Sequence, residues 1–253
     1  SFNSCDEDGS NYRKIDLNER LCSFALTINN QIIAAFEKKI FLCDLNLNKL
    51  IKVADFESDD PNTRLNDGKC DYNGKFVVGG YNQKTHKKTT KIISIDSHKN
   101  INVLIENIGC TNSIEFSNCK KYIYHSDSLE KYIYRSNYDY KNSRVYETKP
   151  FIKYKKNEGF PDGSCIDANN NIWNSQYDGG CVQQINENSE LGIKVKVPCP
   201  QVTCACFGGK NLDTLFISTA QENYTTKMHK KYPFAGSRSE EHTSELQSPM
   251  YLV

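Results

Sequence analysis

The stretch GFPDGSCIDANNNIW, residues 159–173, decides how this chain folds. A Pro-Asp-Gly group opens a strand-like segment, an Asn-rich turn at 169–171 reverses the chain, and a second strand-like segment follows. Residues 64–76, RLNDGKCDYNGKF, repeat this design with a second Asp-Gly pair. Turn residues between alternating apolar segments predict β-hairpins. The question is whether the two Asp residues only shape turns or belong to one site.

A similar hairpin recurs five times, and its copies begin at Ser23, Asp67, Asn112, Asp162 and Thr203. Further strand-like segments follow each of the first four copies, such as KIISID and NVLIE in the second. Four antiparallel strands in about 40–50 residues are typical of one propeller blade. We therefore predict an all-β fold, a six-bladed β-propeller that is incomplete at both ends, in its first blade and its closing strand. A β-sandwich, the alternative, does not need so regular a period.

The five starting residues occupy equivalent positions on the strands that line the channel of a propeller. They are therefore expected to meet at one mouth of the channel, although they lie far apart in the sequence. Carboxylate and amide oxygens arranged in this way favour a hard divalent cation. For a single Asp-Gly pair, turn chemistry is the simpler interpretation. Asp67, Asn112 and Asp162 in register across three consecutive repeats favour a site.

Composition excludes several classes of protein. The 253 residues carry a formal net charge of +1, with 32 Lys and Arg against 31 Asp and Glu. This near-neutral balance argues against nucleic-acid and membrane-surface partners. The 11 cysteines follow no disulfide framework, which indicates a reducing compartment and predicts a cytoplasmic protein. We expect a monomer whose partner is a small molecule.

At this point the motifs resemble a known family. RLNDGKCDYNGKFVVGG, NIGCTNSIEFSNCKKYIYHSDS, GFPDGSCIDANNNIW and VTCACFGGKNLDTLFISTA stand in the order found in the regucalcin (senescence marker protein)/gluconolactonase/luciferin-regenerating enzyme family. The resemblance runs from about Ser23 to Gly236. It implies a six-bladed propeller with one divalent cation at the channel mouth, and many members of the family hydrolyse sugar lactones.

The resemblance also implies roles for individual residues. Arg64 and Asn66 match the substrate-binding positions of the family, and Asn112 matches a metal-ligating Asn. Asp162 matches a metal ligand that also serves as the catalytic general base. The implied cofactor is one divalent cation, which is Ca, Zn, Mn or Mg.

Three departures from the family pattern bear on activity. The chain lacks the N-terminal motif that carries a metal-ligating Glu, which predicts that the sequence begins after that strand. Ser113 stands where the family has Gly, and Lys84 falls near a substrate-contacting Glu. We therefore keep three hypotheses: a metal-dependent lactonase, a non-catalytic calcium-binding propeller, and a propeller that binds proteins through its faces. The oxygen ligands argue against the third.

The C-terminal segment follows no propeller pattern. Residues 238–248, RSEEHTSELQS, match the codon-by-codon translation of a common sequencing-adaptor string. We predict a single, N-terminally truncated propeller domain over residues 1–236 and a non-native tail over 237–253.

Two other residues have competing interpretations. Trp173, the single tryptophan, is expected to pack between blades, although a position near the channel would let it stack on a sugar. His125 lies inside a strand and is expected to be a structural histidine rather than a metal ligand.

Overall fold

Strand pairing in the computed structural model follows the predicted repeat. The structure describes residues 1–242. In this part of the chain, five sheets of three or four antiparallel strands follow one another, and strands adjacent in sequence are neighbours in each sheet. The fold is an all-β propeller with five blades among the described residues. The predicted count of six blades is not confirmed. By their contacts, the described residues divide into two compact units, residues 1–111 with 140–144 and residues 112–139 with 145–242.

The first unit contains one two-stranded sheet, β1–β2, and two four-stranded sheets, β3–β6 and β7–β10. Its strands are β1 Phe2–Ser4, β2 Arg13–Ile15, β3 Leu21–Leu26, β4 Ile32–Phe36, β5 Lys39–Cys43, β6 Ile51–Asp55, β7 Thr63–Cys70, β8 Phe76–Asn82, β9 Thr90–Ile95 and β10 Ile101–Ile108.

The second unit contains the sheets β11–β14, β15–β18 and β19–β21. Its strands are β11 Thr111–Phe116, β12 Tyr122–Asp127, β13 Tyr132–Asp139, β14 Arg144–Lys153, β15 Phe160–Ile166, β16 Ile172–Tyr177, β17 Cys181–Ile185, β18 Leu191–Lys196, β19 Val202–Gly208, β20 Thr214–Thr219 and β21 Arg238–His242; two of these strands begin at boundary residues of the first unit. A 3₁₀ turn, Ser128–Glu130, and the helix α1, Thr226–Lys231, are its helical elements.

Asx side chains close the hairpins between strands. Oδ1 of Asp71 accepts hydrogen bonds from the backbone N–H groups of Asn73 and Lys75, both at 2.9 Å. Asp167 accepts from Asn169 at 3.0 Å and from Asn171 at 2.8 Å in the same way. Such side chains replace the backbone partners that a reversing chain would otherwise lack. At these positions the Asp residues shape turns, as local sequence alone predicts.

Apolar side chains fill the space between successive sheets within each unit. In the first unit, Ile40, Phe56, Leu65, Phe76 and Ile93 form a buried cluster. In the second unit, Trp173 is 1% exposed and packs with residues of β19 and β20, and its ring meets that of Phe207 edge to face with the centroids 5.9 Å apart. Burial of such a ring contributes more than most single core residues. Packing of Trp173 between blades is therefore confirmed.

The chain after Ser237 takes part in the last sheet. Arg238–His242 pairs antiparallel with β20, from Ser218↔Arg238 to Thr214↔His242. The sequence predicts no propeller structure from residue 237 onward, and these five residues differ from that prediction. Backbone pairing needs only an extended segment beside an open strand edge, so it places little demand on sequence. The predicted non-native origin of the tail is a separate matter and stays a prediction, and residues 243–253 lie outside the described residues.

Candidate functional site

The first strands of four blades carry a β-bulge at or directly beside the repeat positions Ser23, Asp67, Asp162 and Thr203. In β15 the pairing moves from Pro161↔Gln176 to Ser164↔Asn174, so one extra residue is inserted at Asp162–Gly163. The strand β7 does the same at Asn66–Asp67. Single extra residues also interrupt β3 and β19, at Cys22 and Thr203. Bulges re-aim side chains and are frequent beside active sites.

Close contacts explain why a glycine follows each of these Asp residues. A Cβ on Gly163 would lie 2.7 Å from Sγ of Cys204 on the next blade, and a Cβ on Gly68 would lie 3.0 Å from Oγ of Ser23. A side chain does not fit at either place without displacing the neighbouring strand. The Asp-Gly pairs therefore combine a bulged residue with a glycine that permits close packing of adjacent blades.

Asn112 and Asp162 are joined through two serine hydroxyls in the second unit. The Nδ2 group of the Asn112 side chain donates to Oγ of Ser128 at 2.8 Å. Ser128 in turn donates to the carbonyl of Pro161 at 2.6 Å. Ser113 donates to the carbonyl of Asp162, also at 2.6 Å. Each of the two carbonyl groups beside the Asp162 Cα atom therefore accepts a hydrogen bond from a serine. Ser113 lies on β11 with Asn112, and Ser128 lies in the turn that follows β12.

Ser113 has a left-handed backbone conformation with φ of 56°. The sequence predicts an altered loop where Ser replaces the Gly of the family, but a positive φ is a conformation that Gly adopts easily. The serine is buried, with 1% of its surface exposed. Its hydroxyl donates to Asp162 and accepts a hydrogen bond from Nδ2 of Asn174 at 2.9 Å. A hydroxyl has one donor and accepts readily, so both capacities are used.

A buried polar network lies beneath Asp162. Nδ2 of Asn174 also approaches the carbonyl of Asp162 at 3.0 Å and Oγ of Ser164 at 2.9 Å. Its Oδ1 accepts from the hydroxyl of Tyr154 at 3.1 Å and from Nε2 of Gln176. Burial raises the pKa of Tyr154 far above its usual value. The phenol therefore stays a neutral donor, and the network anchors the bulge from within the core.

The Asp162 side chain is also close enough to Tyr177 to affect its ionisation. The pKa of Tyr177 is raised, first because the phenol is partly buried, then by the carboxylate of Glu222, and to a smaller extent by Asp178 and Asp162. The Tyr177 hydroxyl donates to Glu222 at 3.0 Å. The bulge thus lies in a region rich in oxygen atoms and negative charge.

Arg64 and Asn66 form a hydrogen-bonded pair in the first unit. Nη1 of Arg64 donates to Oδ1 of Asn66 at 2.6 Å and to the carbonyl of Leu65 at 2.8 Å. Nε donates to Gln83 at 2.9 Å, and the guanidinium lies 5.0 Å above the ring of Tyr81. Nδ2 of Asn66 donates to the carbonyl of Thr111 at 2.8 Å. Both ends of the Asn66 amide are therefore engaged, while Nη2 of Arg64 makes no hydrogen bond among residues 1–242.

Lys84 is exposed in the turn that follows β8. Its neighbour Gln83 provides the contact to Arg64. The charge of Lys84 adds a small effect to burial in lowering the pKa of Lys38. The position that departs from the family pattern therefore carries a positive charge in this unit.

The remaining repeat positions make contacts within a turn or between neighbouring strands. Oδ1 of Asp67 accepts from the N–H of Gly68 at 2.9 Å, and Oγ of Ser23 donates to the carbonyl of Gly68 at 2.9 Å. Thr203 pairs its hydroxyl with that of Ser218 at 2.9 Å. For these residues the observed contacts are those of turn and strand structure.

His125 is a strand histidine, as predicted. It is 2% exposed in β12 and stacks on Tyr134 with ring centroids 5.3 Å apart. Burial lowers the pKa of His125 to about 4, so the imidazole is neutral at physiological pH. Its Nδ1 has no hydrogen-bond partner among the described residues.

Asn112 and Asp162 both offer oxygen atoms as possible metal ligands. Among residues 1–242, no group of three or more His, Cys, Asp or Glu side chains is arranged to hold a metal ion. An amide oxygen and a carboxylate are nevertheless ligands that suit a hard cation. The two residue types therefore fit the ligand chemistry of such an ion.

Sequence reasoning did not identify Ser128, Asn174 or Gln176. Ser128 follows directly after β12 in the SDS triplet at 126–128, and that triplet was the available signal. Asn174 and Gln176 lie on β16, and their alternation with Trp173 is typical of an ordinary strand. Their role depends on contacts across the sheet, which sequence spacing does not show.

Antiparallel sheets in succession, with bulged polar residues on the first strand of several sheets, define the class of protein as a β-propeller. Residues 1–221 match the family model of the SMP-30/Gluconolactonase/LRE-like region. The chain therefore belongs to this family.

Individual proteins show the same relationship. An uncharacterized protein of Sulfolobus acidocaldarius is 32% identical over 178 residues, which cover 70% of this chain and 64% of that protein. The Bacillus subtilis protein "Putative sugar lactone lactonase YvrE" is 26% identical and covers 88% of this chain and 77% of its own length. A crystal structure of Agrobacterium tumefaciens regucalcin, at 23% identity, superposes with a TM-score of 0.90 over 99% of this chain and 86% of that one.

The chain spans 64% of the length of the Sulfolobus relative. Within residues 1–242, none of the helices has the length and apolar character needed to cross a membrane.

Proposed function

We propose that the protein is a divalent-metal-dependent hydrolase of a sugar lactone. The observation that carries the proposal is the link between Asn112 and Asp162 through the hydroxyls of Ser128 and Ser113. Turn chemistry does not require such support, because Oδ1 of a hairpin Asp accepts from backbone N–H groups two and four residues further on in the same turn. Family membership and the name of the Bacillus subtilis relative support the choice of a lactone as substrate.

Asn112 and Asp162 are the residues that would hold the cation, which is Ca, Zn, Mn or Mg. A divalent cation at this place would polarise the lactone carbonyl and acidify a water molecule. The hydrogen bond from Nδ2 of Asn112 to Ser128 fixes the orientation of the amide. Because Nδ2 of this amide faces Ser128, its Oδ1 atom faces away from Ser128.

Asp162 would act as general base and take the proton of the attacking water. Its peptide carbonyl is held by Ser113 and Asn174, so little freedom is lost when the carboxylate takes up its reactive position. Arg64 and Asn66 keep the substrate-binding role that the family resemblance implies. For Arg64 the proposal rests on Nη2, because the other guanidinium nitrogens are already engaged.

The remaining parts of the proposal concern the whole protein. We infer a six-bladed propeller, to which β1 and β2 contribute, and a monomer that binds neither nucleic acid nor membranes. A cytoplasmic location is supported by the 11 cysteines, all of which are free thiols.

The test is an assay of glucono-δ-lactone hydrolysis with Ca²⁺, Zn²⁺, Mn²⁺ and Mg²⁺, beside Asp162→Asn. Removal of a general base is expected to lower kcat by about 10²–10⁴-fold. Asp59→Asn, an exposed turn position in the first unit, is the matched control and should keep full activity. Turnover without any metal, or an Asp162→Asn variant as active as the wild type, would contradict the proposal.

A second candidate is a non-catalytic calcium-binding propeller. It is favoured by the exposed Lys84, whose charge is opposite to that of the family's substrate-contacting Glu. The regucalcin structure with the same fold is described as a calcium-binding protein. Calorimetry separates the two candidates, because a binder takes up Ca²⁺ and loses it in Asp162→Asn while no lactone is hydrolysed. Absence of both binding and turnover in folded protein would leave the interaction propeller.

A further inference from the structure

The backbone on both sides of Asp162 is held by hydroxyl groups. Ser128 donates to the carbonyl before this residue, that of Pro161, and Ser113 donates to the carbonyl of Asp162 itself, each at 2.6 Å. These two carbonyls belong to the two peptide planes that meet at the Asp162 Cα atom. Fixing both planes fixes the direction in which the side chain leaves the bulge.

Both serines are also connected to the other proposed ligand, Asn112. Ser128 accepts from the side chain of Asn112 at 2.8 Å, and Ser113 is the residue that follows Asn112 in the chain. A displacement of either serine would therefore move the two proposed ligands relative to each other. Both serines are buried, which removes competing water from these hydrogen bonds.

Ser113 has a backbone conformation that is unfavourable for a residue with a side chain. Its φ of 56° lies in the left-handed region, where a glycine would be unstrained. A strained residue persists only when its surroundings determine it, and such residues cluster at functional sites. Here the surroundings are the Asp162 carbonyl and the amide of Asn174, which engage both the donor and an acceptor of the hydroxyl.

We propose that Ser113 and Ser128 form a two-serine clamp that positions Asp162 against Asn112. Both are positioning residues, since neither is proposed to touch the substrate. The inference rests on the proposed function and adds the residues that determine the geometry of its site. Partners that orient metal ligands typically change metal affinity or activity by about 10–100-fold when they are removed.

The experiment compares Ser113→Gly and Ser128→Ala with the wild-type chain. We would measure the Kd for Mn²⁺ by calorimetry, kcat and KM for glucono-δ-lactone, and the Tm. Ser113→Gly should raise the Kd by about 10-fold and lower kcat by a similar factor, with KM nearly unchanged. Its Tm should change little, because glycine relieves the left-handed backbone and this gain offsets the loss of the two hydrogen bonds of the hydroxyl. A role limited to folding would lower the Tm and leave the Kd and kcat of the folded fraction unchanged.

Ser189→Gly is the matched control. Ser189 is also a serine with positive φ, 66°, in the second unit, but it lies in the turn between β17 and β18. The same substitution there should leave the Kd and kcat unchanged. If Ser113→Gly behaves like Ser189→Gly while the wild type binds Mn²⁺, the clamp is wrong and the proposed function stands.

The double variant tests whether the two hydroxyls act on one group. Because both hold Asp162, their effects on the Kd should not be additive. Additive effects would show two independent contributions and overturn the clamp. A wild-type chain that neither binds Mn²⁺ nor hydrolyses lactone would overturn the proposed function, and the clamp with it.

Discussion

The bulges in β7 and β15 have the same register shift, but different hydrogen bonds hold them in place. Each inserts one extra residue next to a glycine that packs closely against a neighbouring blade. In β7, the side chain of Asn66 is itself engaged, by Arg64 on one side and the Thr111 carbonyl on the other. In β15, the backbone of Asp162 is engaged instead, by Ser113 and Asn174.

This difference shows how one backbone device serves two purposes. In β7 the side chain of Asn66 at the bulge is hydrogen-bonded, and it holds the neighbouring Arg64 in place. In β15 the serine hydroxyls bind the backbone carbonyls at the bulge, and the Asp162 side chain has the proposed catalytic role. Four predictions test the contrast, and they are ordered from the largest expected change in free energy to the smallest.

We expect the largest loss of stability when the polar network around Asn174 is disrupted. Asn174→Ala removes the acceptor for Tyr154 and Gln176 and the donor to Ser113, and leaves buried polar groups without partners. We expect a loss of about 3–4 kcal/mol in the free energy of unfolding, because each orphaned group costs about 1–3 kcal/mol. Urea titration measures it. Gln83→Ala beside the β7 bulge is the control and should cost less than about 1 kcal/mol; equal losses would remove the contrast.

Acid should destabilise the second unit more than the first. Both units contain a His–Tyr stack, but His86 on Tyr81 is exposed and His125 on Tyr134 is buried. Burial lowers the pKa of His125 to about 4, so the unfolded chain binds its proton more tightly than the folded one. This contribution to stability is therefore complete above about pH 6.5 and is lost as the pH falls from there toward 4.

The full effect is about 3 kcal/mol for one buried His. We expect His125→Phe to flatten the pH dependence of the free energy of unfolding between pH 6.5 and 4, since the ring remains and the titrating group does not. An unchanged slope in this variant would assign acid sensitivity to other groups.

Loss of the proposed ligand amide should abolish metal binding. Asn112→Ala is expected to raise the Kd for Mn²⁺ by at least about 100-fold, which corresponds to about 2.7 kcal/mol. Asn66→Ala, the same substitution at the β7 bulge, should leave the Kd within a factor of about 2. Calorimetry on both variants decides whether Asn112 on β11, and not Asn66 at the β7 bulge, is a metal ligand.

The smallest effect is expected at Arg64. Arg64→Lys keeps the charge but cannot contact Gln83, Leu65 and Asn66 at the same time. We expect KM for glucono-δ-lactone to rise about 10-fold with kcat nearly unchanged, as for loss of one charged hydrogen bond. A fall in kcat at constant KM would instead place Arg64 in the chemical step.

Much of this architecture was readable from the sequence. Alternating apolar residues and Asx turns predicted the blades, and the structure confirms the all-β propeller with Asp71 and Asp167 closing hairpins. Local chemistry determines these features, because the backbone N–H groups that Oδ1 of each Asp accepts from lie two and four residues away. Motif order predicted the family, which the match over residues 1–221 confirms.

Only the tertiary structure decided how the site residues are held. Ser113 meets the Asp162 carbonyl from 49 positions away, and Asn174 meets Ser113 from 61. The pairing of Arg238–His242 with β20 was likewise invisible in its polar sequence. Local sequence determines which segments extend and where they turn. A bulge changes which way each side chain points, and the neighbouring strand then determines its partner, so these contacts exist only once the sheets have packed.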